Sequence, residues 1–91
     1  MQSDTAGVTA RMPRDRVRAT MAGILEMDGR TLPADDHATL REIPFRSLEF
    51  SELVLRVEEH IGRELNFDAA GLRRVRTVAD VLDLLDELQA S

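Results

Sequence analysis

Phe50, Leu53, Val54, Val57 and Ile61 recur at intervals of three and four residues, the spacing that lines one face of an α-helix. A stripe this regular has to be covered by other apolar surface. Two further segments offer it. In residues 13–27, Pro13 suits the first turn, Val17, Met21, Ile24 and Leu25 share a face, and Gly29 follows as a stop. Near the end, Thr77-Val78-Ala79-Asp80 has a capping-box pattern and opens a helix whose Val78, Val81, Leu82, Leu85 and Leu88 form an apolar face. The central stripe itself predicts a helix over 47–65. A short helix is expected over 68–74, with Asp68 as its cap. The pattern predicts an all-α fold, a four-helix bundle of three longer helices and one short, with a long helix 1–helix 2 loop.

That loop, residues 28–46, holds Pro33, the polar cluster Asp35-Asp36-His37 and isolated apolar residues at Leu32, Leu40 and Ile43. Connections of that length in small domains are uncommon and often functional. Its apolar residues should pin it across the helices as an ordered strap. Residues 1–12 are small and polar and are expected to form a disordered tail, leaving 13–89 as one domain.

Bulk composition removes several functions. A chain of 91 residues buries too small a core to enclose a deep active site. It has no cysteine, so neither disulfides nor protein thiol chemistry are available. Its charge is −5, with no tyrosine or tryptophan and three phenylalanines, which disfavours nucleic-acid binding. No apolar run has the length of a membrane span and no signal-peptide stretch opens the chain, so a cytoplasmic monomer is expected. All twelve basic residues are arginine.

Ser47 stands where the loop gives way to the stripe. Two readings fit it. It is a helix N-cap, or it is an attachment point, a hydroxyl held open at the head of a helix for another enzyme to load. Phe50 rather than Glu or Gln at the third position after it weakens a capping box built on Ser47. On the face opposite the core stripe, Leu48 and Leu55 alternate with Glu52 and Glu59, a docking strip for partners with basic surfaces and an apolar pocket. Glutamates 49, 52, 58, 59 and 64 outnumber arginines 56 and 63 in this helix. Such an excess speeds encounter with positively charged enzymes.

No catalytic residue is expected. His60 lies on the same helix as Ser47, about 20 Å away along the axis at 1.5 Å per residue, and cannot serve as its base. His37 is an ordinary loop histidine. Asp35-Asp36-His37 falls short of a metal-ligand set, and no glycine-rich phosphate loop is present.

Ser47-Leu48-Glu49, Glu52-Leu53-Val54, Glu58-Glu59 and Thr77-Val78 with Val81 and Leu82 together resemble the acyl carrier proteins, over nearly the whole chain from Val17 to Leu88. The resemblance implies that a phosphopantetheinyl transferase loads 4'-phosphopantetheine from coenzyme A onto Ser47. The arm's thiol would then carry acyl groups as thioesters. Leu48, Glu49, Glu52, Leu55 and Glu59 would dock acyl-loading, condensing or tailoring enzymes. The usual motif is Asp-Ser-Leu, whereas Arg46 precedes the serine here, where it would contact the phosphate or a specialised partner. A dedicated pathway, of polyketide, fatty-acid or other natural-product type, is the expectation. Two alternatives stay open: a carrier of aminoacyl or peptidyl groups, and an unmodified helical adaptor in which Ser47 only caps its helix.

Overall fold

The computed structural model describes residues 11–90. Among the described residues stand four helices: α1 (Arg14–Glu26), α2 (Ser47–Ile61), α3 (Ala69–Arg73) and α4 (Val78–Ala90). The expected architecture forms, three longer helices and one short with a long first connection. Helix α1 packs against both α2 and α4. The predicted faces of α1 and α2 are buried together with Val78, Val81, Leu82 and Leu85 of α4, and Leu88 sits half-buried at the edge. Burying each large aliphatic side chain stabilises by roughly 1.5–3 kcal/mol, so the three stripes meeting is what holds the bundle.

Two boundaries differ from expectation. Helix α2 ends at Ile61, four residues early, because Gly62 takes the left-handed conformation (φ 76°) and its N–H closes on the Glu58 carbonyl at 2.8 Å. Leu65, beyond the stop, is still buried, its N–H held by Glu58 Oε2 at 2.8 Å. At the other end, Met12 is only 3 % exposed. Its N–H donates to Gln89 Oε1 at 2.6 Å, and Gln89 Nε2 donates back to the Met12 carbonyl at 3.1 Å. Arg11 reaches Asp86. Residues 11 and 12 therefore belong to the folded body rather than to a tail; residues 1–10 of the expected tail lie outside the described residues. A single methionine carries no period, so the pattern could not assign it.

The 28–46 connection is an ordered strap. Leu32, Ile43 and Phe45 are buried and Leu40 packs half-buried against the core. Arg18 of α1 clamps it, donating to Asp36 at 2.7 Å and to the Pro33 carbonyl. Within it, Thr39 and Glu42 close a reciprocal pair: the Thr39 N–H donates to Glu42 Oε1 (3.0 Å) and the Glu42 N–H to Thr39 Oγ1 (3.2 Å). That is a capping box on a single turn. The strap is then tied to the α3–α4 connection. Leu40 N–H donates to the Arg76 carbonyl (2.9 Å), Val78 N–H to Ala38 (3.1 Å), and Thr39 pairs with Thr77 in an isolated bridge.

The predicted box at Thr77 forms. Asp80 N–H donates to Thr77 Oγ1 at 3.2 Å, while Asp80 Oδ2 accepts from the N–H groups of Arg76 (3.0 Å) and Thr77 (3.1 Å). The Arg76 N–H above all, then that of Thr77, holds the Asp80 carboxyl below its ordinary pKa, although partial burial works the other way.

Candidate functional site

Arg46, not Ser47, occupies the N-cap of α2, with extended backbone (φ −107°, ψ −168°), and Ser47 is the first helical residue. The N-cap reading of Ser47 is thereby corrected. The shift has a local cause. Phe45 is buried as the last anchor of the strap, and Glu49 Oε1 accepts the Arg46 N–H at 2.8 Å. That bond fixes the cap one residue upstream of the serine. An arginine side chain offers no acceptor, so the other half of the box is absent, and N–H groups at this helix head keep their positive partial charge.

Ser47 is exposed, and among the described residues its hydroxyl has no hydrogen-bond partner. His60 is exposed on α2, and His37 turns to Asp35, whose Oδ1 takes the His37 N–H at 2.9 Å and lies 3.3 Å from Nδ1. The His37 N–H lowers the Asp35 pKa. Asp36 is engaged by Arg18. Among the described residues no histidine or carboxylate hydrogen-bonds the Ser47 hydroxyl.

On one side of Ser47 runs the outer face of α2. Leu48 is 77 % exposed and Leu55 58 %, and they line a shallow groove with Ser51, Glu52, Arg56 and Glu59. Four of the five predicted docking residues, Leu48, Glu52, Leu55 and Glu59, thus share one surface. Glu49 is turned back as a cap and Glu52 pairs with Arg56 at 2.9 Å. Glu58 holds the Leu65 N–H. Glu59 alone of the predicted docking acids is exposed without an ion pair among the described residues. Met27, at the end of α1, is 72 % exposed and its sulfur lies 3.7 Å from Arg56 Nη2, adding apolar surface near this strip. Its position off the core stripe of α1 was the signal for it.

On the other side lies a cleft of about 360 Å³. Ser47, Arg41 and Arg46 stand on its wall, and Phe45, Phe50, Leu72 and Val75 line it with Leu40. Phe67 meets Phe50 edge-on, ring centroids 5.3 Å apart. The periodic pattern did not reveal this cleft, since Leu40, Arg41, Phe45 and Arg46 of its lining come from the strap and Val75 from the α3–α4 connection. Two signals were present in the chain: Thr39-x-x-Glu42, a capping-box spacing, and the basic run Arg73-Arg74-Val75-Arg76.

No protein-family model matches the sequence, and no curated protein matches it. Among solved structures, the chain is similar to the acyl carrier protein of Thermotoga maritima, with a TM-score of 0.61, 25 % identity, and coverage of 82 % of this chain and 88 % of that one. The fold is therefore acyl-carrier-like. No helix among the described residues is long and apolar enough to cross a membrane.

Proposed function

We propose that this chain is a carrier protein bearing 4'-phosphopantetheine on Ser47, and that it holds acyl intermediates for partner enzymes. One observation carries the reading: in an acyl-carrier-like fold, an exposed serine with an unengaged hydroxyl opens the helix that presents Leu48 and Leu55. The chain's residues fit the group. Ser47 Oγ would form the new phosphoester bond as the diphosphate bond of coenzyme A breaks, with adenosine 3',5'-bisphosphate leaving and the hydroxyl proton passing to the transferase. The helix head favours the resulting anion by typically 0.3–1 kcal/mol, the general scale for exposed sites. Arg46, exposed and without an ion pair among the described residues, stands beside it as a phosphate contact. The bound arm supplies a thiol for thioester formation, which a chain without cysteine cannot. Leu48, Leu55 and Glu59 dock the transferase and the loading, condensing or tailoring enzymes. Use in polyketide, fatty-acid-type or other natural-product biosynthesis goes with the same reading.

The test is intact mass after incubation with coenzyme A and a broad-specificity phosphopantetheinyl transferase. The wild type should gain one phosphopantetheine and Ser47→Ala none. No gain with several transferases favours the unmodified adaptor, which would use Leu48 and Leu55 for docking alone.

A further inference from the structure

The cleft beside Ser47 does not stop at its own walls. Leu40, Arg41 and Val75 also line a second depression, of about 520 Å³, which continues toward Arg76 and Thr39. The two adjoin across these shared residues as one stretch of surface, and each has a volume within the range of small-molecule sites. Its floor is aliphatic and aromatic. Its charged lining is all of one sign: Arg41, Arg46 and Arg76, with no carboxylate lining either depression.

The carboxylates nearest in the chain face elsewhere. Glu42 holds the Thr39 N–H and Asp80 holds those of Arg76 and Thr77. No ion pair reaches the Arg41 or Arg46 guanidinium among the described residues. Arg76 still feels the nearby Asp80 charge, whereas Arg41, which lines both depressions, and Arg46 have no such neighbour among these bonds. The Leu40 to Arg76 backbone bond and the Thr39–Thr77 bridge hold the two arginine-bearing segments side by side.

Resting on the carrier reading, we propose that this groove selects cargo ending in a carboxylate, an acyl chain tethered at Ser47 whose far end meets Arg41 and Arg76. The apolar floor accepts the methylenes, and a guanidinium fork matches a carboxylate's two oxygens. A methyl-ended chain of equal length gains the floor but leaves the arginines to water.

The experiment loads the full chain from two coenzyme A thioesters of matched length, one carboxylate-ended and one methyl-ended, and follows thioester cleavage by hydroxylamine through intact mass. Rates are normalised to the free pantetheine thioesters. The carboxylate-ended cargo should be cleaved about three- to fivefold more slowly, the scale of a partly exposed ion pair. Arg41→Gln and Arg76→Gln should each erode that difference, Arg41→Lys should restore part of it, and molar salt should remove it. Equal protection of both cargos, or a difference that survives Arg41→Gln with Arg76→Gln, overturns the inference and leaves the carrier reading intact. Absence of any loading at Ser47 overturns both.

Discussion

The two surfaces that flank Ser47 are built from opposite uses of charge. On the outer face of α2, most of the acids already serve the fold: Glu49 caps, Glu52 pairs with Arg56, and Glu58 holds a loop N–H. On the strap side, Arg41 and Arg46 have no ion-pair partner among the described residues. The difference has a general cause. Helix heads and turns present N–H groups, which a carboxylate can accept from and a guanidinium cannot. Acids near such turns are drawn into backbone bonds, while arginines beside them stay available. A chain with net charge −5 therefore shows a muted acidic strip on one side and an arginine-lined groove on the other.

The largest effect comes from removing the apolar anchors. Leu48→Ala combined with Leu55→Ala should lower the transferase's kcat/KM for loading about tenfold, the loss expected when one of the pair belongs to the minority of interface residues whose truncation costs over about 1 kcal/mol. Thermal stability should stay within about 0.5 kcal/mol, because both side chains already lie in water. Unchanged loading kinetics would move the docking face elsewhere.

The groove side depends on the α4 cap. Asp80→Ala should cost about 1 kcal/mol of stability, the usual loss for a cap, read from urea midpoints. It should also loosen the strap, seen as faster amide exchange at Leu40 and Val78. The pH dependence follows from the lowered pKa of Asp80. A carboxyl ionised more readily when folded stabilises fully above its unfolded value near 3.9 and loses that contribution as pH falls through the lower folded value. Wild-type stability should thus fall more steeply than that of Asp80→Asn below about pH 4. Parallel curves for the two proteins would remove Asp80 from the account.

What the sequence disclosed and what it hid divide along the same line. The bundle was legible because Val17, Met21, Phe50, Leu53, Val81 and Leu85 obey one period. The exposed leucines were legible as exceptions to it, and Thr77 with Asp80 as a spacing with a known hydrogen-bond pattern. Three things were not. Ser47 sits one residue inside the helix because of a carboxylate bond from Glu49, a choice between two neighbouring caps that differ by a single interaction. Met12 is buried by a partner 77 residues away, Gln89. The groove arises where two aperiodic segments, 39–41 and 75–76, are tied by backbone bonds. Tertiary pairing of irregular chain leaves no local period to read.

Arg46→Asp probes the junction of the two surfaces and restores the acid expected before such a serine. Arg46 is exposed, and the change should alter loading by a conventional transferase severalfold, with the effect shrinking in salt. Loading and partner turnover rates that match the wild type would show that the arginine has no part in either step.

The smallest effect compares a charge that is available with one already compensated. Glu59→Gln removes an exposed acid without an ion pair among the described residues, whereas Glu52→Gln removes one whose field Arg56 largely cancels at 2.9 Å. Counting sequence charge, the two changes are equal. For steering they stay equal, because removing either acid shifts the local field by one charge. Glu59→Gln should slow association with a basic partner by about twofold at low salt, through steering rather than bound contacts. Glu52→Gln should slow it about as much, since it leaves the Arg56 charge uncancelled. Its clearer cost is the lost i,i+4 pair, roughly 0.3–0.5 kcal/mol of helix stability. Stopped-flow association rates against ionic strength make the comparison. Slowing that differs severalfold between Glu52→Gln and Glu59→Gln would mean that bound contacts of one acid, rather than steering, set the rate.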